Sequence, residues 1–469
     1  MTNTTLVWLR DDLRVSDNPA LHAARERGSV VCVFLQAPEQ WRRHHVGRRR
    51  LEYLSASLQA LSHELATLNV PLLSIEAPTF GDAPARLLSV LDGLGAKHLA
   101  FNAQLPLNES RRDARVEAAC VANGIGVHRY HGGTLLPPGS VLSASDQPYT
   151  VFSAFKRRWL TRIDLESLAP LAAPAAQHQV SLPDTLSSKV LRAASDSLGT
   201  GGERAAAGEP AAQQRLQRFI AEHLSTYHRD RDVPSLDGTS GLSAHLSVGS
   251  VSARQCVAAA MRARHDPQAA EGADAWINEL IWRDFYRHVI ALFPHVSKGQ
   301  AFRSEGDRIP WRHAPEEFAA WQTGHTGYPL VDAAMRQLST TGWMHNRLRM
   351  VTAMFLSKHL LLDWRLGERH FMEQLIDGDF AANNGGWQWS ASTGTDAAPY
   401  FRIFNPTTQG ERFDPEARFV RRYVPELEAL SAAQIYKRPH ALVAAYPAPI
   451  VEHRFARERA LATFKAARA

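Results

Sequence analysis

Apolar positions follow two rhythms along this chain. In the first third they form short, mostly apolar runs at residues 6–9, 30–35, 72–75, 98–101 and 125–128. Runs of this length without alternation read as strands buried on both faces. Between them, residues 48–68, 83–91 and 109–122 carry apolar side chains at helical spacing. Strand alternating with helix predicts a parallel sheet covered on both sides. From about residue 214 the strand rhythm stops, and residues 213–224, 252–264, 273–292, 330–340 and 347–362 read as successive helices. The stretch between, 165–214, shifts to Ala, Pro, Ser and Gly and includes Gly199-Thr200-Gly201-Gly202. It is longer than an ordinary loop and is expected to wrap over the surface. The predicted class is α/β plus all-α: a Rossmann-like parallel-sheet domain at 1–135, a long interdomain linker at 136–212 and an all-helical domain at 213–469. No internal repeat is visible.

Composition narrows this only modestly. Of 469 residues, 45% are hydrophobic and 21% charged, which is ordinary globular material. The formal charge of +6 suits an anionic partner without requiring one. Cys32, Cys120 and Cys256 are far apart, which excludes a zinc knuckle or a four-cysteine iron–sulfur cluster and fits a reducing compartment. No metal is expected. The N-terminus has no basic-then-apolar leader, and no apolar run approaches the ~20 residues of a membrane span, so a cytoplasmic protein is expected. No G-x-G-x-x-G follows the first strand, so a dinucleotide is not expected there.

The chemistry concentrates between residues 377 and 406. Asp377-Gly378-Asp379 is followed by Asn383-Asn384-Gly385-Gly386-Trp387-Gln388-Trp389, then Thr395 through Tyr400 and Asn405-Pro406. Paired glycines admit a flat ligand close to the backbone, and amides offer both donors and acceptors to its polar edge. A turn between helices, with indoles capping the core, is the competing reading. Trp387 and Trp389 are two apart and would point roughly 200° apart on a helix. Elsewhere, Thr239-Ser240-Gly241-Leu242-Ser243 precedes a helical segment and reads either as a phosphate cradle or as a capped turn. Glu279 and Trp282 share a helix face, with Arg283 adjacent, and Asn346 and Met350 share another. Asn108-Glu109 reads as a helix start capped by Asn108.

Taken together these blocks closely resemble the photolyase/cryptochrome family, in particular the bacterial class I photolyases that repair cyclobutane pyrimidine dimers. The likeness begins at Val7-Trp8-Leu9-Arg10, Asp12-Leu13-Arg14 and Asp17-Asn18. It passes through Trp276–His288 and Gly342–Met350 and ends at Pro449-Ile450-Val451-Glu452-His453, leaving out only about 165–210 and 430–446. The resemblance implies light-dependent repair of damaged DNA by a carbon–carbon lyase, through electron transfer from FADH⁻. A cryptochrome-like blue-light receptor is the alternative.

It implies an FAD site made by Tyr227, Thr239, Ser240, Gly241, Leu242, Ser243, Trp276, Arg349, Asp377, Gly378, Asp379 and Asn383. Arg349 is expected to pair with Asp377, and Asn383 to face flavin N5. Gly241 stands where several relatives have arginine. The resemblance further implies a dimer pocket of Glu279, Trp282, Asn346, Met350 and Trp389, and an electron path from Trp387 through Trp364 to Trp311. The expected DNA contacts are Arg231, Arg283, Arg347 and Gln409. A methenyltetrahydrofolate antenna is expected at Asn108, Glu109 and Lys298, with a deazaflavin or no antenna as alternatives. The implied partner is UV-damaged DNA, and the protein is expected to be a monomer with no obligate protein partner and no membrane association.

Overall fold

The computed structural model describes residues 4–166, 168–191 and 206–468. The Gly199–Gly202 part of the expected linker lies outside the described residues. The chain divides into two compact units. One comprises residues 1–149, 153–225 and 240–292; the other comprises 150–152, 226–239 and 293–469.

The first unit is built on the five expected strands: β1 (Thr4–Leu9), β2 (Ser29–Gln36), β3 (Leu72–Glu76), β4 (His98–Asn102) and β5 (Gly126–Tyr130). They pair in the order β3-β2-β1-β4-β5, all parallel, with Leu6 opposite Val31 and Val7 opposite Ala100. Helices α1 (Pro19–Arg27), α2 (Pro38–Arg43), α3 (Arg48–Thr67), α4 (Ala83–Leu94) and α5 (Leu107–Ala122) connect the strands. Leu6, Trp8, Val31, Val33, Leu99 and Phe101 from the sheet pack with Leu87, Leu91 and Val116 from the helices. The order reverses between β1 and β4, and such a switch point is where a doubly wound sheet ordinarily takes a ligand beyond its strand ends.

At the ends of β1 and β4 the chain's own polar side chains pair with one another. Arg10, Asp12, Asn102 and Asp113 are all buried. Asn102 Nδ2 donates to Asp12 Oδ2 at 2.6 Å and to Asn18 Oδ1 at 2.8 Å, and Arg10 pairs with Asp113 at 3.4 Å. The guanidinium of Arg10 lies 4.0 Å from the centre of the Trp8 ring. The polar residues of the first motif are therefore structural.

The same unit contains the helices Glu209–Glu222, Ser243–Val248, Ala253–Arg264 and Ala270–Leu292. The second unit is helical, and its core gathers Trp321, Leu330, Met335, Leu348, Phe355, Trp364, Phe371, Trp387 and Phe419. The helix expected over 347–362 is broken: regular α-geometry covers Asn346–Met354, and a wider π-type turn spans Phe355–His359. Among the described residues no helix is long and apolar enough to cross a membrane.

Candidate functional site

In the second unit three helices, Asn346–Met354, Trp364–Gln374 and Phe380–Ser390, assemble most of the residues singled out between 346 and 389. The expected ion pair is present. Arg349 Nη2 meets Asp377 Oδ2 at 2.7 Å, and Arg349 Nε donates to the Met344 carbonyl at 2.8 Å. Asp377 is buried, and its other oxygen, Oδ1, has no hydrogen-bond partner among the described residues. An acceptor left open beside a satisfied charge pair suits the polar edge of a heterocycle. Asp379 caps the helix Phe380–Ser390, accepting from Ala382 N at 3.1 Å.

Gly385-Gly386 is not a turn but helix interior. Each glycine there costs about 1 kcal/mol relative to alanine. A Cβ on Gly386 would meet nothing within 4 Å, so its face is open. Gly378, by contrast, is buried against Met372.

The amides form a network that ends on a carboxyl the sequence reading passed over, Glu368. Asn383 Nδ2 donates to the Glu368 carbonyl at 2.9 Å, and Asn384 Nδ2 to Glu368 Oε1 at 2.8 Å. Gln388 Nε2 donates to Asn384 Oδ1 at 3.0 Å, and Gln388 Oε1 accepts from Phe302 N at 2.7 Å. Burial pushes the Glu368 carboxyl up to about 7, against the opposing effects of the Asn384 hydrogen bond and Arg365. The amide of Asn383 is thereby held in one orientation by a backbone acceptor.

Of the indoles, Trp387 and Trp364 are fully buried and Trp311 partly so, and all three lie in or against one apolar cluster. Trp387 sits edge-on to Phe371 at 4.9 Å and to Trp321 at 6.0 Å, while Trp311 meets Phe464 at 5.9 Å. None of the three Nε1 atoms has a hydrogen-bond partner among the described residues. Trp389 is half-buried and on a different face from Trp387, as their spacing requires. Asn346 is exposed at the first turn of its helix, with Met350 half-buried one turn on.

In the first unit, the helix Ala270–Leu292 carries Trp276 buried against Phe219 at 4.7 Å. Glu279 and Trp282 are half-buried on it, Trp282 packing on Tyr286 at 5.6 Å. The Ser240-Gly241-Leu242-Ser243 segment leads into the helix Ser243–Val248, with Gly241 in the left-handed region at φ 64°. Thr239 and the buried Tyr227 belong to the second unit.

The expected cap at Asn108 is not seen. Helix α5 starts two residues earlier, at Leu107 behind Pro106, so Asn108 lies within it and is exposed. Its amide meets His44 Nε2 at 3.0 Å, and the other ring nitrogen of His44 lies 3.4 Å from Glu109. Lys298 is an exposed residue of the second unit. Among the expected DNA contacts, Arg231 is half-buried 5.8 Å from the Tyr227 ring centre. Arg347 pairs with Asp232 at 2.8 Å and covers Phe413, and Gln409 is half-buried. Arg283 is committed to backbone, donating to Gly133 O at 3.0 Å and Leu246 O at 2.9 Å. No cluster of three or more His, Cys, Asp or Glu is placed to hold a metal among the described residues.

A parallel-sheet unit and a helical unit carrying this amide and indole set coincide with two family matches. Residues 5–175 match the model described as DNA photolyase, and residues 276–466 match the FAD binding domain of DNA photolyase. The chain belongs to the DNA photolyase family. The deoxyribodipyrimidine photo-lyase of Escherichia coli strain K12 is 44% identical to it over 474 residues, covering 99% of each chain. Among solved structures, a bacterial class III photolyase from Agrobacterium tumefaciens superposes with a TM-score of 0.89 at 35% identity, covering 100% of this chain and 98% of its own. An archaeal photolyase from Sulfolobus tokodaii, described with two FAD molecules, gives 0.80 at 29% identity, covering 99% of this chain and 100% of its own.

Proposed function

We infer that this protein is a light-driven DNA repair enzyme that opens cyclobutane pyrimidine dimers with FAD as its cofactor. The observation that carries the reading is the likeness to the Escherichia coli deoxyribodipyrimidine photo-lyase, which runs end to end in both chains. When bound, reduced and excited by light, FAD supplies one electron to the dimer and takes it back after the ring has opened.

The chain's own work is to bind, orient and exclude water. Arg349 and Asp377 hold the flavin's polar edge, supported by the open acceptor on Asp377. Gly378 and Asp379 continue that wall, and Asn383, held by the Glu368 carbonyl, presents its amide to N5. Tyr227, Thr239, Ser240, Leu242, Ser243 and Trp276 complete the cofactor set. Glu279 and Asn346 supply polar stabilisation to the dimer, and Trp282, Met350 and Trp389 supply the apolar walls against which a flipped pyrimidine pair stacks. Trp387, Trp364 and Trp311 would form the path along which an electron from a reductant at the surface reaches an oxidised flavin; their apolar packing, with no Nε1 hydrogen bond among the described residues, supports this use.

DNA phosphates meet Arg231, Arg347 and Gln409. Arg283, tied to two carbonyls, fixes the helix Ala270–Leu292 more than it reaches outward. An antenna of the methenyltetrahydrofolate kind sits at Asn108 and Glu109, with Lys298 as a further contact. Two features support it over a deazaflavin or a second FAD: the polar side chains at the sheet's switch point are buried and paired with one another, and the amide–imidazole–carboxylate trio around His44 lies near the surface. The enzyme acts as a cytoplasmic monomer.

Purified, reduced protein incubated with a dimer-containing oligonucleotide should remove dimers under near-UV or blue light and not in darkness. A protein that holds reduced FAD yet leaves the dimers intact in light would move the reading to a cryptochrome-like receptor.

A further inference from the structure

The segment formed by residues 239–243 contains no cationic side chain of its own. Phosphate is held most strongly by charge-assisted donors, above all the planar fork of an arginine. The fold brings one in from elsewhere in the sequence. Arg215, on the helix Glu209–Glu222, is only 7% exposed and donates Nε–H to the Ser240 carbonyl at 2.8 Å.

Its guanidinium occupies the space beside Gly241. A Cβ at that position would stand 2.7 Å from Arg215 Nε, 2.8 Å from Nη2 and 3.0 Å from Cζ. Gly241 thus serves twice, by taking the left-handed backbone conformation and by leaving the volume that the guanidinium fills. The positive charge is felt locally. His245, hydrogen-bonded to Tyr53 Oη at 2.8 Å and to Ser250 Oγ at 3.0 Å, is lowered to about 4 by burial and, secondarily, by Arg215. A buried cation on the backbone of a segment that carries the hydroxyls of Ser240 and Ser243 is a chemistry for a phosphate, not for a neutral ring.

We propose that Arg215 is a phosphate-binding residue of the FAD site, delivering from the helix Glu209–Glu222 the charge that the 239–243 segment lacks, with Gly241 as the residue that makes room for it. The proposal rests on the FAD reading above and concerns its pyrophosphate.

The test is equilibrium binding of FAD to apoprotein, followed by quenching of flavin fluorescence across a range of salt concentrations, for wild type, R215Q, R215K and R215Q/G241R. Loss of one charge-assisted hydrogen bond predicts that R215Q binds FAD about tenfold to a hundredfold more weakly. It also predicts a flatter salt dependence. R215K should recover part of the affinity, and R215Q/G241R, which returns the cation on the loop, should recover affinity together with the salt dependence. A purely structural Arg215 would not be rescued from the opposite side of the contact. FAD affinity in R215Q equal to wild type would overturn the proposal, as would a loss that neither R215K nor R215Q/G241R recovers. Wild-type protein unable to bind FAD would instead overturn the cofactor reading itself.

Discussion

Replacing Glu368 by glutamine removes a titration while keeping the shape and the acceptor that Asn384 uses. In the folded protein, burial raises the Glu368 carboxyl from 4.5 to about 7. Between those values the folded state holds a proton that the unfolded state has lost. Stability therefore falls as pH rises through this window, because folding must keep a carboxyl neutral or bury its charge. At 1.36 kcal/mol per pH unit the full difference is about 3 kcal/mol, of which about 2.5 kcal/mol develops between pH 5 and 8. Glu368→Gln does not titrate, so its stability relative to wild type should grow by that amount over the same interval. Equilibrium urea unfolding of both proteins at pH 5, 6, 7 and 8, read by tryptophan fluorescence, measures the difference. A gap between the two proteins that stays constant with pH would refute the reasoning and return Glu368 to an ordinary, ionised carboxylate.

Two other outcomes follow from the geometry. Arg349→Ala leaves the buried carboxylate of Asp377 without its cation, which should cost about 3 kcal/mol of stability, at the low end for a broken buried pair because Arg349 is partly exposed, and should lower flavin content on purification. Arg231→Ala should weaken binding to damaged and intact duplex by similar factors and reduce the slope of log affinity against log salt by about one, as gel-shift titrations across salt concentrations would show.

Much of this fold is legible in the sequence because its strands are short, mostly apolar runs. A parallel sheet covered on both faces demands such runs, and runs as short as residues 98–101 are unlike anything in the helical half. The helix break at Phe355 is not legible, because the apolar spacing continues through it and only the hydrogen-bond geometry changes. Asn108 reads as a cap by residue type. The structure places the helix start at Leu107, after Pro106, so the side chain turns to His44, more than sixty residues earlier in the chain.

The Arg349–Asp377 pair was found through resemblance, and its geometry bears it out. Glu368 and Arg215 had no local signal at all. What distinguishes them is which distant atoms surround them: the amide of Asn384 in one case, the missing side chain of Gly241 in the other. No periodicity encodes that.

The close approach of Gly367 to Trp387 has a consequence for electron movement. A Cβ at Gly367 would stand 2.0 Å from Trp387 Cη2 and 2.7 Å from Leu356 Cδ2, so the indole is wedged directly onto the backbone of the helix Trp364–Gln374. A ring clamped in this way, with no Nε1 hydrogen bond to rearrange among the described residues, changes its surroundings little when its charge changes. Small nuclear reorganisation is what allows a single electron to leave and return quickly, so on the electron path proposed above one hydrogen atom in place of a side chain at position 367 would help set how freely charge passes.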